Sequence, residues 1–243
     1  MNGLIKQKYA DLFVSDDEGL SKNDALCENI WATYVSLSNN IPLWIIGRPG
    51  TSKSLAVNIV LAKLFTGRTI SNMPTLVYQT FMCSSDSRSE ALISQMSRIA
   101  EKSLLLPTKG SITALLLEEI GHADLSPYLP LKCLNHIIDD GFEIVNNGES
   151  EFLPITLIGL SNYKMDSAKL NRGILIIRDE LSPEQKKKTA LDIFSSTALS
   201  LFKANNNLSN NVDEFIKRYQ GKIESLTDCY HNSSKSILFM GLR

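Results

Sequence analysis

The loop at residues 47–54, Gly-Arg-Pro-Gly-Thr-Ser-Lys-Ser, constrains the fold more than any other segment of this sequence. It follows an apolar run at residues 41–46, which predicts a buried strand, and it precedes a helical pattern over residues 53–65. In this context, the backbone N–H groups of a glycine loop and of the next helix converge on phosphate oxygens. The loop therefore predicts a binding site for a nucleoside triphosphate, with ATP as the expected nucleotide. A glycine turn that merely joins strand to helix is the alternative.

Each position of the loop has an expected part in binding. Lys53 supplies a point charge for the β- and γ-phosphates, and the Ser54 hydroxyl is an expected ligand of Mg²⁺. Ser52 stands where the pattern G-x-x-x-x-G-K-[ST] has its second glycine. If this position needs a positive φ, serine costs about 1 kcal/mol relative to glycine. The residues predicted to contact the nucleotide are Gly47, Arg48, Pro49, Gly50, Thr51, Ser52, Lys53, Ser54 and Leu55.

Two acidic residues follow the apolar run at residues 112–117, which predicts a third buried strand. P-loop ATPases place carboxylates at the end of a neighbouring strand, where one holds Mg²⁺ and another orients or deprotonates the attacking water. We therefore expect Glu118 to ligate the metal and Glu119 to be catalytic. Glutamate carries one methylene more than the aspartate usual at the first position, so the metal geometry is expected to be looser. A solvated pair of acids at a strand end is the alternative.

Polar residues also follow the predicted fourth strand and the helix after it. Asn162 comes after the apolar run at residues 155–160 and can reach the γ-phosphate or the water at the carboxyl ends of parallel strands. Arg172 follows a predicted helix at residues 167–171, and its guanidinium could stabilise charge on a neighbouring module's γ-phosphate. Arg243 is the last residue of the sequence. An ordinary turn residue and two surface arginines are the alternative interpretation.

Strands and helices alternate over residues 41–178, which predicts an α/β fold whose parallel sheet is covered by helices on both faces, a three-layer sandwich. We expect residues 1–20 to form a poorly ordered or loosely docked arm. Residues 21–180 are the predicted nucleotide-binding core. Residues 181–243 are a predicted helical appendage, with helices over residues 184–203 and 212–219.

Composition limits the partners and the compartment. The net charge of −1 gives no global attraction to nucleic acid, and no apolar run approaches the roughly 18 residues that span a bilayer. The four cysteines form no C-x-x-C pair, so neither a zinc site nor a disulfide framework is indicated. The N-terminus has no signal pattern. We therefore predict a cytoplasmic protein that binds neither membranes nor nucleic acid.

Three segments together resemble the AAA+ modules of the mysterin family, which are giant AAA+ E3 ubiquitin ligases. These segments are residues 47–56, 117–127 and 159–173. Ser52 strengthens the resemblance, because modules of this family carry a similar serine before the lysine. The closing residues 239–243 are similar to the start of the family's lid helix, where an arginine contacts nucleotide. The resemblance covers residues 25–243.

The resemblance implies an AAA+ core with sheet order 5-1-4-3-2, a helical lid, and ATP with Mg²⁺ as cofactors. Other AAA+ modules, or copies of this chain, are the implied partners in a ring. Asn162 takes the role of first sensor, Arg172 that of the inter-module arginine and Arg243 that of the second sensor. Glu118 departs from the family's usual aspartate, which bears on metal handling and turnover. The sequence ends at Arg243, which predicts a truncated lid.

Three functional hypotheses remain open from the sequence. The first is an ATPase module that couples nucleotide state to conformational change in a ring. The second is a non-hydrolysing nucleotide-binding scaffold or a truncated remnant, which the glutamate at position 118 favours. The third is a P-loop kinase or GTPase, although no guanine-reading N-K-x-D motif is present. No RING-type cysteine spacing is present, so ubiquitin transfer is not assigned to this chain.

Overall fold

The computed structural model describes residues 3–14, 20–66, 75–105, 111–146 and 149–204. These residues divide into two compact units. The first unit contains residues 3–13 and the described part of residues 24–180. The second contains residues 14, 20–23 and 181–204.

The strands of the first unit are β1 (Leu43–Gly47), β2 (Leu76–Met82), β3 (Ile112–Glu118), β4 (Phe142–Asn146), β5 (Glu149–Leu153), β6 (Thr156–Ser161) and β7 (Ile174–Arg178). Five of them form one parallel sheet in the order β2-β3-β6-β1-β7. Counted along the chain within this sheet, the order is 5-1-4-3-2, and this prediction is confirmed. Because every pairing is parallel, the carboxyl ends of all five strands meet at one edge of the sheet, here called the carboxyl edge. The opposite edge is the amino edge.

The helices of the first unit are α1 (Gly3–Phe13), α2 (Asp24–Asn39), α3 (Lys53–Thr66), α4 (Ser89–Leu104), α5 (Ile120–Asp124), α6 (Lys132–Asp140) and α7 (Ser167–Leu170). They cover the sheet, whose central strands are largely apolar: β1 and β6 are buried at every residue. Helices α2 and α3 contact each other and β1, whereas α4 packs on β2 and β3. Each fully buried Leu or Ile side chain contributes roughly 1.5–3 kcal/mol, so these strands anchor the fold. The predicted α/β sandwich is confirmed.

Two local features add to this core. Strands β4 and β5 pair in antiparallel orientation, with Phe142 opposite Leu153. The short helix α5 directly follows the acidic residues at the end of β3, and the sequence patterns did not predict it.

The prediction of a loosely docked arm is wrong for residues 3–13, which form helix α1. Ala10 and Phe13 are fully buried, and the rings of Tyr9 and Phe13 lie 5.3 and 5.6 Å from the ring of Tyr34 on α2. Tyr9 and Phe13 are four residues apart and therefore share one helix face. That spacing is the signal in the sequence from which the helix could have been predicted.

The second unit is built around helix α8 (Pro183–Ala204). Ser182 caps this helix: its hydroxyl accepts from the Gln185 N–H at 3.2 Å, and its own N–H donates to the Gln185 side chain at 2.9 Å. The Ser21 hydroxyl donates to Asp192 at 2.7 Å. Residues 20–23 thus group with α8, whereas the sequence interpretation placed residues 21–23 in the core.

The predicted helix at residues 212–219, the truncated end of the lid and Arg243 lie outside the described residues. Over the described part of the chain, no helix combines the length and the apolar character needed to cross a membrane.

Candidate nucleotide site at the carboxyl edge

The glycine loop leaves the sheet where β1 lies against β7. Gly47, the last residue of β1, pairs in register with Arg178, the last residue of β7. A Cβ atom on Gly47 would lie 2.5 Å from the Arg178 carbonyl oxygen, so only glycine permits this approach. Further along the loop, Gly50 and Ser52 have φ angles of 82° and 58°. Ser52 therefore adopts the left-handed backbone that favours glycine, at a cost of about 1 kcal/mol or more.

Lys53 begins α3 and folds back under the loop, where only 8% of the residue is exposed. Its ammonium donates to the carbonyl oxygens of Gly47 and Arg48 at 2.6 and 2.9 Å. It also donates to the side-chain oxygen of Asn162 at 3.0 Å. Burial lowers the pKa of Lys53, and the negative charge of Glu119 partly opposes this effect. The ammonium is thus held at the loop by neutral acceptors, beside a carboxylate.

Asn162 joins the loop lysine to the predicted catalytic acid. Its amide nitrogen donates to both carboxylate oxygens of Glu119, at 2.8 and 3.0 Å. An ammonium needs an acceptor and a carboxylate needs a donor, so one orientation of the amide satisfies both neighbours. Glu119 has φ 53° and leaves β3 in a left-handed turn, which aims its side chain across the sheet edge. Lys53, Asn162 and Glu119 form one connected chain, called here the Lys-Asn-Glu chain.

The predicted metal ligands also lie at the carboxyl edge. Ser54 is exposed on the first turn of α3, and Glu118 is half-buried at the end of β3. The Glu118 carbonyl oxygen accepts from the Cys83 N–H at 2.8 Å, which holds the acidic strand end against the residue that follows β2. A hydroxyl and a carboxylate are hard oxygen ligands of the kind Mg²⁺ takes. Within the described ranges, no three His, Cys, Asp or Glu side chains form a metal-binding group.

The remaining loop residues differ in exposure. Thr51 is buried, and its hydroxyl donates to the Arg48 carbonyl at 2.8 Å, which closes the loop internally. The Arg48 side chain is exposed and pairs with Glu180 at 3.1 Å. Leu55 is 41% exposed beside Ser54. Pro49 and Gly50 are exposed at the loop tip.

Arg172 does not join these residues. It lies in the turn between α7 and β7, and the next residue, Gly173, packs against Pro42 just before β1 begins. Its guanidinium pairs with Asp139 on α6 and donates to the Asn135 carbonyl at 3.4 Å. Arg172 therefore lies at the amino edge, one strand length away from the loop of its own sheet. Arg243 falls outside the described residues.

Two residues beneath the loop were absent from the sequence prediction. The Arg178 Nε–H donates to the Asn29 side-chain oxygen at 2.8 Å, and the Asn29 amide nitrogen donates to the Thr51 carbonyl at 3.3 Å. Arg178 could have been predicted, because it directly follows the apolar run at residues 174–177. Asn29 offered a weaker signal, as a polar residue next to Ile30.

The fold and this site define a class of protein. A parallel sheet in this order, a phosphate loop between β1 and α3, an acid after β3 and an asparagine after β6 are the features of an AAA+ P-loop module. A solved structure supports the fold. The structure of Drosophila ORC bound to DNA matches with a TM-score of 0.50 and 14% identity, covering 96% of this chain and 62% of that chain.

The chain belongs to the RNF213 AAA domain family, whose profile matches residues 19–185. The E3 ubiquitin-protein ligase rnf213-beta of Danio rerio is 32% identical over 203 residues, which are 82% of this chain and 4% of the relative. Human E3 ubiquitin-protein ligase RNF213 is 31% identical over 184 residues, which are 74% of this chain and 4% of the relative. The chain thus spans about 4% of the length of these relatives. The resemblance to the mysterin family is confirmed.

Proposed function

We propose that this chain is an AAA+ module that binds Mg·ATP on residues 47–55 and hydrolyses it when a neighbouring module supplies an arginine. The observation that carries the proposal is the Lys-Asn-Glu chain. It connects the cation beneath the phosphate loop to a carboxylate at the end of another strand. A loop that only joined a strand to a helix would not need a buried lysine that is connected to a carboxylate through hydrogen bonds.

Binding follows from what surrounds Lys53. Its ammonium is held by two neutral carbonyl oxygens. Phosphate oxygens would replace or join them, because an anionic phosphate attracts the ammonium by Coulomb interaction, which a neutral carbonyl oxygen does not supply to the same degree. The N-terminus of the 14-residue helix α3 adds free N–H groups and a positive partial charge. The exposed Leu55 would add an apolar contact beside the phosphates.

The Ser54 hydroxyl and the Glu118 carboxylate would hold Mg²⁺. This ion commonly binds through one or two protein ligands together with substrate phosphates, so a pair of residues suffices. When bound, Mg²⁺ would neutralise charge that develops on the β- and γ-phosphates. The longer side chain of Glu118 can reach past the strand end, which compensates in part for the absence of aspartate.

Hydrolysis assigns separate tasks to three residues. Glu119 would orient a water molecule and accept its proton as the oxygen bonds to the γ-phosphorus. The bond between the γ-phosphorus and the oxygen that bridges it to the β-phosphate would then break, leaving ADP and inorganic phosphate. Asn162 would position Glu119 and reach the γ-phosphate from the end of β6. Arg172 would stabilise the transferred phosphoryl group in the site of a neighbouring module.

A second candidate is a nucleotide-binding module that does not turn over. One observation favours it: both carboxylate oxygens of Glu119 accept hydrogen bonds from Asn162, so the acid is engaged before any water reaches it. In this form ATP would stabilise the fold without being consumed.

The relatives are E3 ubiquitin-protein ligases by name, and this chain corresponds to a small part of them. We propose that the module contributes nucleotide-driven conformational change within a ring of other AAA+ modules or of its own copies, rather than ubiquitin transfer itself. Cytoplasmic localisation and the lack of nucleic-acid binding stay predictions from the sequence.

The test measures ATP binding, ATP turnover and oligomeric state on the same protein preparation, with GTP as a competitor. We expect ATP to bind in preference to GTP and turnover to require Mg²⁺. Glu119→Gln should retain ATP binding and lose turnover, and Glu101→Gln on the exposed face of α4 is the matched control. Binding without turnover in the assembled protein would select the second candidate. Failure to bind ATP would reject both.

A further inference from the structure

Arg178 touches the phosphate loop at its start. It ends β7 directly beside Gly47, and its carbonyl oxygen and Cβ would lie 2.5 and 2.6 Å from a Cβ atom at that position. The side chain then turns beneath the loop, where only 13% of it is exposed. A guanidinium this deeply buried needs partners, because leaving a charged donor without acceptors is costly.

Two nitrogens of this guanidinium have partners and form two arms, whereas the third, Nη2, is buried with no hydrogen-bond partner among the described residues. The Nε–H donates to Asn29 at 2.8 Å, and Asn29 in turn donates to the Thr51 carbonyl at the far end of the loop. Nη1 donates to Glu28 at 2.6 Å, and Glu28 accepts from Lys6 on α1 at 2.5 Å. Asn29 is fully buried, so its hydrogen bonds are shielded from water. One arm therefore supports the loop and the other holds α1.

We propose that Asn29 and Arg178 are positioning residues for the phosphate loop, acting on ATP affinity through the Thr51 carbonyl. The reason lies in the backbone of the next residue. Ser52 holds a left-handed conformation that a serine adopts at a cost, so the loop needs an outside constraint to keep its binding shape. The Asn29 bond to Thr51 supplies that constraint immediately before the strained residue. This inference rests on the proposed function, since it assumes that the loop binds ATP.

A loop that loses this constraint populates its binding-competent shape less often. Apparent affinity falls in proportion to the competent fraction, whatever the bound nucleotide does afterwards. Losing one buried hydrogen bond of ordinary strength should weaken ATP binding by about 5- to 10-fold. If turnover is present, the KM for ATP should rise by the same factor while kcat stays unchanged, because ground state and transition state use the same loop.

The variants separate the two arms of Arg178. Asn29→Ala removes the bond to the loop, and Arg178→Lys keeps a cation for Glu28 but removes the Nε–H. Lys6→Ala is the matched control, because it breaks only the outer end of the Glu28 arm. Each variant is measured for its dissociation constant for ATP and for its melting temperature without nucleotide. If Asn29→Ala does not fold, the ATP affinity of Arg178→Lys tests the proposal.

We expect Asn29→Ala and Arg178→Lys to weaken ATP binding by about 5- to 10-fold, and Lys6→Ala to lower the melting temperature with ATP affinity unchanged. If ATP affinity follows the melting temperature equally in all three variants, the two residues are structural and the inference is wrong. If the wild-type chain binds ATP and Asn29→Ala and Arg178→Lys bind it equally well, only this inference fails. If the wild-type chain does not bind ATP, the proposed function fails with it.

Discussion

The carboxyl and amino edges of the sheet carry two different arrangements of polar residues. At the carboxyl edge, Lys53 at the start of α3 is buried and connects through Asn162 to Glu119. At the amino edge, Arg172 has 39% of its side chain exposed and pairs with Asp139 on a covering helix. At the carboxyl edge the polar side chains hydrogen-bond to one another, whereas Arg172 at the amino edge is partly exposed to solvent.

This difference fits the proposal that one module carries two halves of a site that a single copy does not complete. Strand-end residues collect at the carboxyl edge because the five strands run parallel. Arg172 precedes β7, so the length of a five-residue strand, roughly 16 Å at 3.3 Å per residue, separates it from Gly47. An arginine at that distance can contribute to a phosphate site only across an interface with another module.

Arg172→Ala should have the largest effect, because it removes the residue assigned to the neighbour's site. Turnover by the assembled protein should fall by roughly 10³-fold, at the low end of what an arginine finger contributes. ATP affinity of the single module should not change. Steady-state ATPase assays at concentrations above and below assembly measure this, with Arg98→Ala on α4 as the control. If the single module lost ATP affinity by the same factor as turnover, Arg172 would belong to the site of its own module. The contrast between the two sheet edges would then be wrong.

Lys53→Ala should abolish the carboxyl-edge site. Each charge-assisted bond to phosphate contributes about 1.5–3 kcal/mol, so ATP affinity should fall by roughly 10²-fold or more. Equilibrium binding of ATP measures the loss, with Lys102→Ala near the end of α4 as the matched control. Affinity within threefold of wild type would show that the loop does not bind phosphate through this lysine.

The pH dependence of binding follows from the lowered pKa of Lys53. Burial lowers the pKa below its usual 10.5, so the free protein loses this proton at lower pH than an ordinary lysine does. ATP affinity should then fall on the alkaline side, by at most about tenfold per pH unit above the lowered pKa. Lys53→Arg should flatten the profile, because arginine keeps its charge there. A wild-type profile that stays flat up to pH 10.5 would contradict the buried, lowered pKa.

The lowered pKa of Lys53 also makes the stability of the fold depend on pH. Between the folded-state and unfolded-state pKa values of Lys53, the unfolded chain binds more protons than the folded chain. The contribution of Lys53 to the free energy of unfolding therefore rises with pH across that window. Urea unfolding of wild type and Lys53→Met without nucleotide should show this difference in slope on the alkaline side.

Ser52 gives a smaller test of the carboxyl edge. Replacing it by glycine relieves left-handed strain of about 1 kcal/mol, but glycine loses roughly 0.5–1 kcal/mol more entropy on folding. Ser52→Gly should therefore change the free energy of unfolding by less than about 1 kcal/mol. Ser52→Val should destabilise by more than Ser52→Gly, because β-branched residues tolerate positive φ poorly. Equal stability of the glycine and valine variants in urea unfolding would remove the argument for backbone strain.

The smallest effect concerns Glu28, which joins the carboxyl edge to α1. The hydrogen bond from Lys6 lowers the pKa of Glu28 most; burial acts in the opposite direction, and Arg178 lowers it further. Its contribution to stability is present above the ordinary glutamate pKa and is lost as pH falls through the lowered value. The carboxylate is 35% exposed, so solvent screening keeps this contribution below about 1 kcal/mol. In acid unfolding, Glu28→Gln should lose stability less steeply with falling pH than the wild type does. If both proteins lose stability equally steeply, the Glu28 carboxylate makes no such contribution.

Local patterns explain which parts of the fold were predictable. Continuous apolar runs are the signature of strands buried on both faces, so the runs at residues 41–46, 112–117 and 155–160 predicted β1, β3 and β6. The parallel arrangement followed from the alternation of strands and helices over residues 41–178. The sheet order and the roles of Arg172 and Arg243 came from family resemblance instead. Helix α1 was missed because its apolar face is short, with Ala10 and Phe13 buried and Leu4 and Leu12 exposed. The pattern of such a helix resembles that of a solvated arm until a partner helix is known.

The sequence by itself determined the glycine loop at residues 47–54, its lysine and the acids at the end of β3, because these depend on residue types at short spacings. Only the tertiary structure decided that Asn162 joins Lys53 to Glu119, that Asn29 and Arg178 support the loop from below, and that Arg172 lies at the other edge. Two of the hydrogen bonds behind these relations, Lys53 with Asn162 and Asn29 with Arg178, join residues more than 100 positions apart in the sequence. The sheet brings them together by the order of its strands, which no local pattern encodes.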